Sequence, residues 1–296
     1  MNKNKPIKNI LLIPNTTKRI PREHITNLVK NLCRHGCEIY VFHDTLKEFS
    51  YLDGTVLPVS ECEIEKKADA VLVLGGDGSI IDAARRLLGK KIPLIGINFG
   101  HIGFLAEIEI NETDLLFALA AGEYTIDRRI MLDALITGKD GGEKKRFTVL
   151  NDVVMTNGPV SRLIRFDIMC DDVKIQTCRA DGIIAATPTG STAYSLSAGG
   201  PVLDPSLDLI CMTPICPHTL NSRPVIYKGS SKIKLTNISN NNSSVYLTAD
   251  GRDVTPLVDG DSVEIRRSEY FVDLIRIKKS GFLEVIRAKL SDTVEW

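Results

Sequence analysis

Ala70-Val71-Leu72-Val73-Leu74-Gly75-Gly76-Asp77-Gly78-Ser79 is the stretch on which the fold turns. Its first five residues are apolar without alternation, as in a strand covered on both faces of a parallel sheet. Three glycines follow, and Ser79 reads as the N-cap of a helix, with Asp82 completing a capping box. Ile80, Ile81, Ala84, Leu87 and Leu88 recur at helical spacing, and Gly89 ends the helix. The same alternation extends outward. Lys8 to Ile13 is a strand, Pro21 to His35 a helix with Ile25, Leu28, Val29 and Leu32 on one face, Glu38 to Phe42 a strand, and Pro93 to Asn98 another. Strand and helix in turn predict a doubly wound, Rossmann-like α/β domain with right-handed crossovers. A further helix runs from Asn111 through Leu115, Leu116 and Leu119 to Gly122.

Beyond residue 125 helical spacing becomes scarce. Ile130 to Thr137 and Arg146 to Thr156, around the turn Asp140-Gly141-Gly142, read as a hairpin. Arg165 to Cys170, Val173 to Cys178, Lys232 to Asn237, Val245 to Thr248, Ser262 to Arg267 and Phe271 to Ile277 are further strands, and Asn240 to Asn242 a polar hairpin loop. A β-rich domain over 125–279 therefore follows an α/β domain over 1–124.

At 296 residues the chain is long enough for two domains of about 150 residues each. Its 43% hydrophobic and 25% charged residues exclude a wholly disordered or collagen-like chain. Thirty-seven basic residues balance 37 acidic ones, which argues against nucleic acid as the main partner. No apolar run approaches the roughly 20 residues of a membrane-spanning helix, and no secretory h-region follows Met1. Seven irregularly spaced cysteines fit reduced thiols and a cytoplasmic location. Cys33-Arg34-His35-Gly36-Cys37 offers three soft ligands without a fourth, so these cysteines read as core residues.

Gly75 to Ser79 lies where an open parallel sheet places its ligand, at the carboxyl end of a strand. Its glycines allow close backbone approach, and amides at a helix start suit a phosphate. The loop is neither a P-loop nor a dinucleotide fingerprint: no Gly-Lys-Ser/Thr follows, and Ile81 stands where the third glycine belongs. A carboxylate in such a loop is repelled by phosphate unless it has work to do. Asp77 fits a general base on a hydroxyl, a ligand for nucleotide-borne Mg²⁺, or a plain Asx turn. The second constellation runs from Asp181 to Pro201: a strand, a hydroxyl-rich turn, and a short helix stopped by Gly199, Gly200 and Pro201. Such a helix start serves a polar ligand or packs closely, and both readings stay open. Asn151-Asp152 suits two vicinal ribose hydroxyls or marks a turn. Tyr194 can stack on a base, and His101 and His218 lie in glycine- and proline-rich loops.

Together these stretches resemble the bacterial NAD kinase (ATP-NAD kinase) family. The resemblance rests on Gly75 to Gly78, Gly96 to Leu105, Asn151-Asp152, Thr187 to Pro201 and Pro214 to Pro224. It implies a C-terminal β-sandwich, with the segment 280–296 packing back on the first domain. It implies transfer of the ATP γ-phosphate to the 2′-hydroxyl of the adenosine ribose of NAD, with a divalent cation, Mg²⁺ with ATP, as cofactor. Asp77 would match the proton acceptor, and Gly75, Gly76, Gly78 and Ser79 the phosphate loop around it. Asn151, Asp152, Asp181, Thr192, Ala193, Tyr194, Ser195, Leu196 and Ser197 would match the NAD-contacting stretches, with Arg162, Arg179 and Arg252 near the nucleotide. NAD and ATP would be the partners, in a homodimer or homotetramer. Asp152 departs from the usual glutamate, and Ile102 from the common leucine. A lipid or sphingoid-base kinase on the same glycine-aspartate loop is the competing enzyme, and a non-catalytic NAD or NADP sensor the competing binding protein.

Overall fold

In a computed structural model the described residues are 4–15, 20–52, 54–99, 103–158, 163–218, 222–239, 244–278 and 281–290. They form two compact units, residues 1–128 with 272–296, and residues 129–271. The division thus falls at 128/129 and 271/272, where the sequence placed it at 124/125 and 279/280.

The first unit is built on five parallel strands: β1 (Asn9–Ile13), β2 (Glu38–Phe42), β3 (Val56–Val59), β4 (Ala70–Leu74) and β5 (Leu94–Asn98). They lie in the order β3-β2-β1-β4-β5, with Ile10 opposite both Ile39 and Ala70, and Val71 opposite Leu94. The short β6 (Ile108–Glu109) joins β5. Every residue of β4 and of β5 is buried, as the unbroken apolar run of β4 requires. Helix α1 (Arg22–Arg34) buries the predicted Ile25, Leu28, Val29 and Leu32, and Gly36 takes a φ of +80° just beyond it. Helices α2 (Ile64–Lys67), α3 (Asp77–Arg86) and α4 (Phe117–Ala121) complete the alternation. Ile10, Leu28, Ile39, Leu72 and Ile95 share one core. The chain runs outward from β1 to β3 and returns at β4, so the sheet reverses its order between β1 and β4. The loop Gly75–Gly76 emerges there, at the usual ligand position of such sheets.

Two details differ from the sequence reading. The helix expected from Asn111 is a 3₁₀ stretch over Ile110–Leu116 followed by α4. Strand β3, only four residues long and interrupted by Pro58, was not legible as a strand.

The second unit carries β7 (Thr125–Thr137), whose first four residues belong to the first unit, then β8 (Glu143–Val149), β9 (Asp152–Asn157), β10 (Ile164–Cys170), β11 (Val173–Ala180) and β12 (Gly182–Ala186). The short helix α5 (Tyr194–Ser197) precedes β13 (Leu209–Ile215), β14 (Val225–Lys228), β15 (Ile233–Asn237), β16 (Val245–Ala249), β17 (Asp253–Leu257) and β18 (Ser262–Arg276). One sheet contains β11, β10, β15 and β18, with β7 on β18 and β8 on β7; the other runs β14-β13-β12-β9-β16-β17 and is antiparallel throughout. A single core takes Leu132, Phe166, Leu235 and Val263 from the first sheet and Ile183, Ile210 and Leu247 from the second. Two sheets sharing one apolar interior are the β-sandwich the resemblance implied. Helix α6 (Phe282–Leu290) follows β18 in the chain.

The expected strand from Arg146 to Thr156 is broken at Leu150–Asn151, and its halves, β8 and β9, lie in different sheets. The two strands expected over Ser262–Arg267 and Phe271–Ile277 are one, β18. Strands β13, β14 and β17 were missed. The polar loop Asn240–Asn242 lies outside the described residues.

Candidate active site

The Gly75–Ser79 loop is packed tightly at its first glycine. A Cβ on Gly75, whose φ is +155°, would overlap the Ser79 side chain and lie 3.0 Å from the Asn15 amide nitrogen. Helix α3 starts at Asp77 with Gly76 as its N-cap, three residues before the predicted cap Ser79, and has no side-chain cap. The capping box of Ser79 and Asp82 therefore does not form. The amides of Ser79 and Ile80 already reach the Gly76 carbonyl, at 2.9 and 3.2 Å, which places Ser79 inside the first turn. Asp77 does not cap the helix either. Its carboxylate accepts the backbone amides of Phe104 (2.8 Å) and Leu105 (3.0 Å), 27 and 28 residues further along. A Cβ on Gly103 would overlap Asp77 Oδ1, so the loop chain lies directly on the carboxylate. Gly78 is exposed beside it.

The second cluster forms where β8 gives way to β9. Asp250 begins the turn Asp250-Gly251 between β16 and β17. Its φ is +47° and that of Gly251 is +69°, and the Arg252 amide closes the turn on the Ala249 carbonyl at 3.0 Å. A hairpin turn with two positive φ angles favours Asp, Asn or Gly at its first position. Here a carboxylate is needed as well. Asp250 accepts three successive amides, from Leu150 (2.9 Å), Asn151 (2.8 Å) and Asp152 (3.1 Å). These amides leave the strand ladder to reach it, and this is why the predicted strand breaks here.

Thr187 holds the opposite edge of the same turn. Its amide donates to the Asn151 carbonyl (2.8 Å) and its hydroxyl to the Leu150 carbonyl (2.6 Å). A Cβ on Gly190 would overlap the Asn151 carbonyl, so only glycine permits this approach. Asn151 is thus fixed through its backbone, while its side-chain Oδ1 is buried without a partner among the described residues. A buried acceptor left open is the mark of a missing donor. Asp152 is buried, and burial first, then the neighbouring Asp250 carboxylate, push its carboxyl up to about 7.

The remaining site candidates fall into distinct environments. Tyr194 is exposed at the start of α5, and Ser197 is exposed at its end. Thr192, Ala193 and Leu196 are half-buried, with the Thr192 hydroxyl on the Thr189 carbonyl at 3.2 Å. Ser195 is wholly buried, and its hydroxyl is shared with Thr213 at 2.8 Å, so it serves the packing of α5. Asp181 is half-buried beside the Asn157 side-chain amide (3.4 Å), while Arg179 and Arg252 are exposed. Arg162 and His101 lie outside the described residues. Sequence reasoning missed the parts played by Asp250, Thr187 and Gly190, and by the Phe104 and Leu105 amides. Of these only Asp250 left a local signal, the Asp-Gly pair between two alternating strands.

Cys37 is buried with its thiol on the Ile7 carbonyl at 3.6 Å. Among the described residues no group of three or more His, Cys, Asp or Glu is placed to hold a metal ion. No helix among them is long and apolar enough to cross a membrane.

Comparison with known proteins bears on both clusters. The ATP-NAD kinase N-terminal domain model matches residues 10–124, which include the Gly75–Ser79 loop, and the ATP-NAD kinase C-terminal domain model matches residues 150–277. An NAD kinase of Natranaerobius thermophilus is 38% identical over 287 residues, covering 96% of this chain and 98% of its own. An NAD kinase of Clostridium botulinum is 41% identical over 288 residues, covering 96% and 97%. Among solved structures, yeast NADH kinase complexed with NADH superposes with a TM-score of 0.87 at 26% identity, over 98% of this chain and 89% of that one. An NAD kinase from Archaeoglobus fulgidus in complex with ATP shares the fold, with a TM-score of 0.72. With both domain models matched in order and relatives this similar along nearly the whole chain, the chain belongs to the ATP-NAD kinase family.

Proposed function

We infer that the chain transfers the γ-phosphate of ATP to the 2′-hydroxyl of the adenosine ribose of NAD, releasing NADP and ADP. The observation that carries the mechanism is the carboxylate of Asp77. It sits in the first turn of α3, after strand β4, and two loop amides hold it in one orientation. Each oxygen accepts one amide and keeps a lone pair for a ribose hydroxyl. In the reaction a bond forms between O2′ and the γ-phosphorus, the bond from that phosphorus to the β,γ-bridging oxygen breaks, and the O2′ proton passes to Asp77. Phosphoryl transfer otherwise needs positioning and neutralisation of charge. The loop has no lysine, so amides at the α3 start and the divalent cation that accompanies ATP supply the positive field.

NAD binding falls to the second cluster in this reading. The open Asn151 Oδ1 accepts a ribose hydroxyl, Asp152 stands beside it, and exposed Tyr194 offers its ring to a base. Asp181, Thr192, Ala193, Leu196, Ser197, Arg179 and Arg252 complete the contacts by resemblance. A cytoplasmic homodimer or homotetramer belongs to the same reading.

The test is purified protein with Mg·ATP and NAD, with NADP read by an NADP-specific dehydrogenase. Steady NADP formation is expected, and Asp77→Asn should lower kcat by about 10²-fold or more, the general-base range, with the fold intact. Absence of NADP from folded, NAD-binding protein overturns the reading, and near-normal turnover by Asp77→Asn overturns the role of Asp77.

A further inference from the structure

Asp77 is held by a loop, and a loop alone does not hold a carboxylate still. What holds that loop is a charge cluster around the buried Glu107, at the end of β18, whose last residue is Arg276. The Arg276 guanidinium donates to the Leu105 carbonyl (3.2 Å), to Glu107 Oε2 (3.1 Å) and to Asp127 Oδ2 (3.0 Å). Glu107, 8% exposed, turns its other oxygen to the amides of Ile277 (2.7 Å) and Lys278 (2.6 Å). Its own amide returns to β5 through the Gly96 carbonyl at 3.0 Å. The segment from Gly103 to Glu107 is therefore tied at both ends. At one end the Phe104 and Leu105 amides hold Asp77, and at the other Arg276 and the chain after β18 hold Leu105 and Glu107.

The geometry asks for more than a generic staple. Leu105 makes both connections, its amide to Asp77 and its carbonyl to Arg276, so a shift at Arg276 is passed directly to the carboxylate. Gly103 leaves no slack on the other side, since even one methyl group there would collide with Asp77. The planar guanidinium also matters, because it spans three acceptors at once, which the single ammonium of a lysine cannot do in the same plane.

We propose that Arg276, with Glu107 as its buried counter-charge, is a positioning residue for Asp77, setting where the proton-accepting carboxylate stands through the Gly103–Glu107 segment. The inference rests on the reading of Asp77 as proton acceptor. Arg276 touches neither substrate nor phosphate in this role. Its loss should therefore fall on kcat, with the KM values for NAD and ATP changing less than about threefold. A displacement of about 1 Å at a reacting group is worth up to 10²-fold in rate, so Arg276→Ala is expected to lower kcat by about tenfold or more, and Arg276→Lys by less.

The decisive experiment is a double-mutant cycle with Asp77→Asn. If Arg276 acts through Asp77, Arg276→Ala has little further effect on the residual kcat of Asp77→Asn; an effect that multiplies overturns the proposal. Should Arg276→Ala fail to fold, judged by its melting transition, Glu107→Gln takes its place in the cycle. The glutamine oxygen still accepts the Ile277 and Lys278 amides, while the charge opposite Arg276 is gone. Normal kcat for folded Arg276→Ala also overturns the proposal. If Asp77→Asn by itself leaves kcat near the parent value, the reading of Asp77 has failed, and this inference fails with it.

Discussion

The carboxyl of Asp152 shows how one residue registers the whole site. Burial and the Asp250 carboxylate raise its proton affinity, so it titrates near 7 in the folded state and near 4 in the unfolded chain. Between those values the folded state binds the proton that the unfolded state has released. Its contribution to stability is therefore fully present at low pH, falls as pH rises through that window, and is flat above it. Three pH units correspond to a difference of up to about 4 kcal/mol. Asp152→Asn keeps the shape and cannot ionise, so it should gain stability over the parent as pH rises from 5 to 8. Urea melts across that range check this, and a pH-independent difference would remove Asp152 as the titrating group. Gly103 makes a second prediction at this scale. Gly103→Ala pushes the Asp77 carboxylate aside, and kcat should fall about 10²-fold while the melting temperature moves little. Steady-state kinetics and a thermal melt measure both. None of this was visible in the chain as a string, because Asp77 finds its amides 27 and 28 residues away and Asp152 its neighbouring charge 98 residues away.

At the scale of elements, the start of α3 and the break between β8 and β9 are two places where local rules lost. Local capping rules put the helix N-terminus at Ser79, a favoured capping residue with Asp82 three residues on. The helix begins at Asp77 because the Gly76 carbonyl collects the Ser79 and Ile80 amides. Alternation alone carried one strand from Arg146 to Thr156. The chain leaves the ladder at Leu150 because the Asp250 carboxylate offers its amides a charged acceptor, a stronger bond than a neutral ladder carbonyl. The Gly190 contact tests the importance of that break. Gly190→Ala forces the Asn151 backbone away, and overpacking of this kind costs about 1–3 kcal/mol. The KM for NAD should rise about tenfold with the KM for ATP little changed. Equal changes in both would separate the Leu150–Asp152 turn from NAD binding.

Each unit has a large apolar core of its own among the described residues, one against the parallel sheet and one inside the sandwich. Phe166 is wholly buried in the second, among residues of both sheets. Phe166→Ala should destabilise the second unit by about 3–5 kcal/mol. Hydrogen exchange should show the loss of protection in β10, β15 and the Ser262–Ile265 part of β18, and unchanged protection there would contradict the shared core.

Local sequence settles the parallel sheet of the first unit and the glycine-rich loop that follows β4. An apolar run such as Ala70 to Leu74 has no polar face to give to water, so it must lie inside a sheet covered on both sides. Glycines directly after it, ahead of a helical stripe, leave only a close backbone approach. The sequence also carried the residue types of the candidate site, Asp77, Asn151, Asp152 and Tyr194 among them. Tertiary structure alone decided where those groups point. Asp77 is set by the Phe104 and Leu105 amides, Asn151 by Asp250 and Thr187, and Ser195 is turned inward to Thr213. The physical reason is range. Periodicity and capping act over a few residues, whereas a buried carboxylate takes whichever amides the fold brings to it, however distant in the chain.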